Sequence, residues 1–311
     1  MLPFIPLLIL SAASLLADSN IPTYRADVQM VTVSFKVERG GRPVTAIAPS
    51  EIKVLEDGVE QRIDSFVQSR ASEPENTAAR VPMSIFILVD TSNAMYRDYA
   101  HAYDSIADFI RSIDPEDSVA VYTFSRNLFR AAKLTKDRYT AIAGLQRSAA
   151  GDDTALYNSL LLTVRDAAKV PGPKQIVVFS NGPDDASAVG PDDVARVAET
   201  EGIPISVVST NLDSEINAIC WGRITSKTGG EVFTAARWTD QRAAFRSLAE
   251  MVRNTYTLTY YSNSDNPGFR RIQVQIKGGD RYAVRCRSGY YPPPPGARRE
   301  WMVASGSPRK E

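Results

Sequence analysis

Hydrophobic residues follow two patterns along the chain, and the change between them divides it into three regions. In residues 24–68 apolar and polar positions alternate, as in the stretch "VTVSFKV" at 31–37. A period of two is typical of a β-strand with one buried face. A hairpin is predicted around Asp57 and Gly58, because Asp-Gly between short apolar runs favours a tight turn. We therefore predict an N-terminal β region.

The pattern changes in residues 82–252. Continuous apolar runs such as "MSIFILV" at 83–89 and "QIVVF" at 175–179 indicate strands covered on both faces. Segments with helical spacing lie between them, as shown by Tyr103, Ile106, Ile110 and Ile113. This alternation predicts an α/β fold with a doubly wound, mainly parallel, six-stranded sheet. The connection within 118–135 is too short for a crossover helix, so one antiparallel edge strand is expected.

Period-two alternation returns in residues 255–290, which predicts a C-terminal β region. The polar, Pro-containing residues 69–81 are predicted to be a linker, and the Pro-rich residues 292–311 a disordered tail. Neither β region has enough strands to bury its apolar face alone. We therefore predict that the two flanks pair into one smaller β domain, with the α/β domain inserted between them.

The first seventeen residues have the features of a secretory signal peptide. The chain is apolar from Leu2 to Leu10, and small residues lead to Ala17 before polar residues begin. This apolar run is too short to span a bilayer, so cleavage near Ala17 is predicted. The expected location is secreted or periplasmic. The alternative is an N-terminal segment that stays on the mature chain.

Charge and cysteine content exclude some partners and cofactors. Lys plus Arg and Asp plus Glu both number 36, so the chain lacks the basic excess expected of a nucleic-acid-binding protein. The two cysteines, Cys220 and Cys286, are too few for a thiolate metal cluster. Cys220 is predicted on a helix and Cys286 on a strand of another region. This placement favours free thiols, with a disulfide as the alternative.

An aspartate ends the first apolar run of the α/β region. Asp90 is followed by Thr91 and Ser92, and ligands in open α/β sheets bind beyond the carboxyl ends of the strands. A carboxylate beside hydroxyl groups suits Mg²⁺ or Mn²⁺. Further oxygen ligands are offered by Thr154 at the start of a helix and by Asn181 after another strand.

The sequences "VDTSNAM", "GDDTALYNSL" and "VVFSNGPDD" together resemble the three loops of a von Willebrand factor type A domain, a Rossmann-like fold. The resemblance implies a metal-ion-dependent adhesion site built from a DxSxS loop, a Thr and an Asp. Asp90, Ser92 and Thr154 match that pattern. Ala94 stands at the second Ser position, and Asn181 stands at the Asp position.

The flanks also resemble a subgroup of this family, the acidobacterial exported proteins related to von Willebrand factor type A domains. The resemblance implies a non-enzymatic protein that binds a partner protein through these loops. In adhesive members the bound metal accepts an acidic residue of the partner. The partner-binding residues implied here are Asp90, Ser92, Asn93, Asp153, Thr154, Asn181 and Asp184.

The two departures favour a degenerate site with no metal or very weak metal binding. Ala94 lacks a hydroxyl and Asn181 lacks a charge, and losing even an outer partner of a metal costs about 10–100-fold in affinity. Nearby carboxylates could replace the lost oxygens, namely those of Asp152, Asp153, Asp184 and Asp185. The competing interpretation makes them solvated turn residues and helix N-caps.

Without metal, Asp90 needs other partners, because a buried carboxylate without them is unstable. The candidates are the hydroxyls of Ser92 and Thr154, the side-chain amide of Asn181, and the backbone N–H groups at the start of the helix that follows Thr154.

Two other functional classes remain as alternatives. A hydrolase would depend on the single histidine, His101, and the chain has no G-x-S-x-G motif to expose a nucleophile. It also lacks the glycine-rich motifs that hold nucleotide phosphates. We therefore expect no enzymatic activity. The second alternative is a metal-independent structural or assembly module of the cell envelope.

Overall fold

The computed structural model describes residues 29–69, 81–211 and 214–293. The predicted signal peptide, most of the predicted linker and nearly all of the predicted tail lie outside these ranges. The strands are β1 (Gln29–Arg39), β2 (Arg42–Pro43), β3 (Ile52–Glu56), β4 (Val59–Gln61), β5 (Ile63–Gln68), β6 (Ser84–Asp90), β7 (Ser118–Phe124), β8 (Leu128–Thr135), β9 (Lys174–Ser180), β10 (Ile205–Ser209), β11 (Val232–Thr234), β12 (Tyr256–Ser262), β13 (Arg270–Ile276), β14 (Ala283–Cys286) and β15 (Gly289–Tyr290). The helices are α1 (Tyr96–Ser112), α2 (Arg138–Gln146), α3 (Leu156–Ala168), α4 (Pro191–Glu201), α5 (Glu215–Thr228) and α6 (Trp238–Arg253).

The α/β region forms a six-stranded sheet in the order β11-β10-β9-β6-β7-β8. Its neighbouring strands are parallel except at the edge, where β8 runs antiparallel to β7. The sheet is covered by apolar clusters on both faces, one including residues of α1, α2 and α6 and the other residues of α3, α4 and α5. Every residue of β6 is buried, which explains its unbroken apolar run. The predicted fold is confirmed.

The order of the strands reverses next to β6. The chain passes from β6 to β7 on one side, and β9 returns on the other side of β6. The crevice between the carboxyl ends of β6 and β9 is therefore the topological switch point, where ligands of open α/β sheets bind. Asp90 ends β6 and Ser180 ends β9.

The two flanks form a β-sandwich, as predicted. One sheet has the order β14-β1-β12-β5, with β2 paired to β1, and the other has the order β15-β13-β3-β4. Strands of the N-terminal flank thus pair with strands of the C-terminal flank in both sheets, for example Val33 with Leu258 and Val54 with Val274. The alternating residues of these strands place one apolar face in a shared core.

A buried polar cluster lies inside the sandwich. The Glu56 carboxylate accepts hydrogen bonds from the hydroxyls of Tyr260 (2.6 Å), Ser262 (2.6 Å) and Tyr290 (3.1 Å). The guanidinium of Arg270 lies 3.5 Å from the same carboxylate. A charge that is buried this deeply is tolerated because it is paired and hydrogen-bonded. These bonds join β3 of the N-terminal flank to β12, β13 and β15 of the C-terminal flank.

Arg287 joins the sandwich to the α/β domain. Its guanidinium donates to the carbonyl oxygens of Glu199 (2.9 Å) and Thr200 (3.1 Å) in the last turn of α4, and to that of Thr32 (2.8 Å) on β1. A cation at a helix C-terminus is favourable because the last carbonyl groups carry partial negative charge. At Gly229, which ends α5 with φ +80°, an added Cβ would lie 2.6 Å from the carbonyl carbon of Cys286. The two domains are therefore in close contact.

Lys36 is buried at this contact between the domains. Its Nζ lies 2.7 Å from the sulfur of Met251 and 3.5 Å from the carbonyl oxygen of Gly229. Burial lowers the pKa of Lys36 from 10.5 to about 8, and the negative charge of Glu231 only partly opposes this shift. The folded protein therefore binds a proton at this side chain less readily than the unfolded chain does.

We expect the free energy of unfolding to depend on pH through Lys36. Because the folded pKa is lowered, the stability linked to this group is lost as pH falls through about 8 and is complete above 10.5. Relative to Lys36→Met, the wild type should gain about 3 kcal/mol of unfolding free energy across that window. Urea denaturation at several pH values measures the difference. Lys53→Met, which removes an exposed lysine, is the control, and a flat difference would contradict this assignment.

Candidate functional site

Asp90 lies at the centre of the site, at the carboxyl end of β6. It is fully buried, with 0% of its surface exposed. The backbone N–H of Ser92 donates to one carboxylate oxygen (2.9 Å), and the hydroxyl of Ser180 donates to the other (2.7 Å). The Ser180 oxygen in turn accepts the N–H of Gly182 (3.0 Å). Asp90 is thus bonded to its own loop and to the neighbouring strand.

Burial and hydrogen bonding shift the pKa of Asp90 in opposite directions. Burial raises the pKa of Asp90, and the nearby negative charge of Asp185 adds to this effect. The hydrogen bonds from Ser180 and from the backbone and side chain of Ser92 oppose it, because they stabilise the ionised form. The net pKa is higher than that of an ordinary aspartate.

Ser180 is a partner of Asp90 that was not predicted from the sequence. Strands β6 and β9 are parallel and pair Val89 with Phe179, so their next residues, Asp90 and Ser180, lie side by side. The available signal was that both strands end at the switch point. The sequence predicts Asn181, the next residue along, and the Ser92 hydroxyl as partners of Asp90. The Ser92 side chain does lower the pKa of Asp90 by hydrogen bonding, and the Ser92 backbone N–H is a further donor.

The second loop is fixed against the first by backbone bonds. Ser92 and Gly151 form a parallel bridge, and Asn93 N–H donates to the Gly151 carbonyl (2.8 Å). The Asn93 side chain also donates to Asp152 (2.7 Å). An added Cβ at Gly151 would lie 2.2 Å from the hydroxyl oxygen of Ser125, so only glycine allows this close approach.

The third loop caps the start of α3. Asp184 accepts the N–H of Tyr157 (2.9 Å), and Asp185 accepts the N–H of Thr154 (2.7 Å). Carboxylates stabilise a helix N-terminus because they satisfy N–H groups that have no partner within the helix. These N–H groups had been predicted as donors to Asp90, and that prediction is wrong. The helix-capping interpretation of the two aspartates is supported. The helix they cap is α3, whereas they lie in the loop between β9 and α4.

The remaining predicted residues lie around this arrangement. Asn181 is buried, and its main-chain carbonyl oxygen accepts a hydrogen bond from the side-chain amide of Asn217 on α5 (3.1 Å). Asp153 forms an ion pair with Arg126 from the turn between β7 and β8 (2.8 Å). Thr154 is buried just before α3. Ala94 lies in the short 3-10 turn that follows Ser92.

The site combines a buried floor with an exposed rim. Asp90, Ser92, Thr154 and Asn181 are buried, whereas Asn93 and Asp152 are exposed. The hydroxyl of Ser92 is buried on this floor, where it lowers the pKa of Asp90. A molecule approaching from solvent would therefore contact the rim, which is rich in aspartate.

The comparison with protein families identifies the α/β domain. The model of the von Willebrand factor type A domain family matches residues 84–248, just over half of the chain. The chain belongs to this family, which confirms the family resemblance. No curated protein sequence matches the chain. Among the described residues, no helix has the length and apolar character needed to cross a membrane.

Solved structures of similar shape come from several bacteria. The conserved hypothetical protein BatB from Bacteroides thetaiotaomicron is 18% identical, and the match covers 55% of this chain and 100% of BatB with a TM-score of 0.46. The vWF domain of the type V pili tip protein Mfa5 from Porphyromonas gingivalis is 12% identical, covering 56% and 96% with a TM-score of 0.49. A von Willebrand factor type A protein from Catenulispora acidiphila is 12% identical and covers 84% of this chain and 73% of its own, with a TM-score of 0.48. These identities are too low to transfer a function.

Ser180→Ala should destabilise the protein by about 1–3 kcal/mol, because it leaves a buried carboxylate without one of its donors. Urea denaturation of the variant and the wild type measures the loss. Ser226→Ala is the matched control, since it removes an exposed hydroxyl on α5 and should cause little change. Equal stability of Ser180→Ala and wild type would show that Asp90 does not need this hydrogen bond.

Proposed function

We propose that the chain is an exported, non-enzymatic binding protein that recognises another protein through the loops at the carboxyl edge of its central sheet. Its metal-ion-dependent adhesion site is degenerate and works without a tightly bound metal. The observation that carries the proposal is that both oxygens of Asp90 already accept hydrogen bonds within the chain, while the side chains of the rim remain accessible.

The residues present fit Mg²⁺ or Mn²⁺ poorly. Asp90 is the one carboxylate on the buried floor, and Asn181 and Ala94 occupy the positions where the family pattern has further oxygen ligands. The buried Ser92 hydroxyl is a suitable oxygen ligand, but one carboxylate and neutral oxygens give weak affinity for a cation that dehydrates reluctantly. Within the described residues, no group of three or more His, Cys, Asp or Glu side chains could hold a metal.

The rim supplies the surface for the partner. Asn93, Asp152 and Asp185 are exposed on three loops that backbone hydrogen bonds hold together. Such a preorganised surface loses little conformational entropy on binding, which favours affinity. The partner is an unidentified protein of the cell envelope or the extracellular space. Asp90 and Thr154 contribute by shaping the loops from below.

The absence of catalytic activity is part of the proposal. Nucleophilic catalysis needs a hydroxyl or thiol beside a general base that a third group orients. The hydroxyl of Ser180, buried at the switch point, donates to a carboxylate and receives a backbone N–H, so it serves a structural bond. His101, the single histidine, lies on α1.

Melting of the wild type should respond little to millimolar Mg²⁺ or Mn²⁺. The double variant Ala94→Ser with Asn181→Asp should gain a metal response, because it restores two oxygen ligands of the family pattern. At about 100 times Kd, binding to the native state adds about 2.7 kcal/mol of stability. Differential scanning fluorimetry with metal and with chelator measures both proteins.

Each result of this experiment has a distinct meaning. A clear metal-dependent rise in the wild type would refute the degenerate site. Lack of response in the double variant would show that the loops do not form the family's metal geometry. Partner binding is tested separately, by pull-down from the native envelope with and without chelator. Captured protein should be retained in chelator and lost when Asn93 and Asp152 are both changed to lysine.

Export is the remaining part of the proposal and rests on residues 1–17, which lie outside the described ranges. The mature protein should begin near Asp18 and fractionate outside the cytoplasm. N-terminal sequencing of protein from fractionated native cells measures this directly. Recovery of chains that keep Met1 in the cytoplasmic fraction would contradict export.

A further inference from the structure

The outward face of α5 is apolar where an exposed helix face is normally polar. Ile216 is 72% exposed and Ile219 is 47% exposed. Ala218 and Gly222 are exposed on the same side, whereas Trp221 is buried in the core. The first two turns of this helix thus present a surface of isoleucine and small residues to solvent.

Gly222 is not explained by packing against any of the described residues. Glycine in the interior of a helix costs about 1 kcal/mol relative to alanine. An added Cβ at Gly222 would meet nothing within 4 Å, so none of the residues that the structure describes requires glycine there. The missing side chain leaves a shallow gap in the exposed face. A bulky side chain of another molecule could fill it.

The face is complementary to itself in an antiparallel arrangement. Counted from Ile219, Glu215 lies four positions before and Arg223 four positions after, and both are exposed. Ile216 lies three positions before and Gly222 three positions after. If two α5 helices pack antiparallel about a twofold axis at Ile219, each Glu215 faces an Arg223 and each Ile216 faces a Gly222. Residues three and four apart share one helix face, so all these pairs form together.

The existing partner of Arg223 does not prevent this pairing. Arg223 lies 3.3 Å from Asp192 on α4, and more than half of each side chain is exposed. Exposed ion pairs contribute about 0–1 kcal/mol, so the guanidinium can turn to a second carboxylate at low cost.

We propose that α5 is a homodimer interface, in which two copies of this chain pack their α5 helices antiparallel about Ile219. A closed, twofold contact of this kind uses the same patch on both copies. A single helix pair buries less area than a standard interface of about 1,200–2,000 Å², so the dimer is weak and depends on concentration. The proposal does not depend on the state of the Asp90 site.

Sedimentation velocity over a wide concentration range, in reducing agent, tests the proposal. The wild type should shift from monomer to dimer as concentration rises, and Ile219→Asp should remain monomeric because it places two like charges at the axis. Leu162→Asp on α3 is the matched control, since Leu162 is also 47% exposed but lies outside the face. It should dimerise as the wild type does.

A charge exchange tests the orientation of the helices. Glu215→Arg and Arg223→Glu should each weaken the dimer about tenfold, which corresponds to about 1.4 kcal/mol. The double variant should recover wild-type dimerisation, because the opposite charges again face each other. Failure of this recovery would overturn the antiparallel pairing.

Gly222→Leu distinguishes an effect on dimerisation from an effect on helix stability. The substitution should raise or preserve the melting temperature of the monomer, because leucine favours helix more than glycine. It should abolish the dimer, because the gap for Ile216 is filled. A wild type that stays monomeric at all concentrations, or a dimer insensitive to Ile219→Asp, would overturn the proposal.

Discussion

The hydrogen bonds to the Asp90 carboxylate organise the carboxyl edge of the central sheet. A buried carboxylate is stable only when donors replace the water it has lost. The donors come from two places, the loop that follows β6 and the end of β9, so satisfying one charge joins the two strands that flank the switch point. The Ser180 oxygen also accepts the N–H of Gly182, and this bond fixes the start of the third loop.

Hydrogen bonds also hold the three loops to one another. The N–H of Tyr157 in the first turn of α3 has no acceptor within the helix, and Asp184 of the third loop supplies one. Asp185 accepts the N–H of Thr154 just before the helix. The second loop is bonded to the first through Gly151. Acidic residues that would be candidate metal ligands by sequence are thus engaged in helix capping. This arrangement gives a physical basis for loops that keep their shape without a cation.

The β-sandwich adds a second constraint, at the contact between the two domains. The α/β domain is inserted between two flanks that share both sheets, so its ends are fixed by strand pairing. Arg287 connects β1 to the last turn of α4, and Lys36 is buried against Gly229 and Met251. A buried lysine with these partners lowers stability at neutral pH. Its presence shows that the contact between the domains is tight enough to exclude water from a charged group.

The sequence alone determined the fold, because burial imposes periodicity on each strand. Alternation in β1 and β13 and the unbroken apolar run of β6 each followed from the number of faces that a strand buries. It also determined that a carboxylate ends β6, because the end of an apolar run is visible in the local sequence. Only the tertiary structure decided that Ser180 bonds to Asp90 and that Asp184 caps α3. Those contacts depend on the register of β6 with β9 and on the path of the loop between β9 and α4, and local spacing does not encode either.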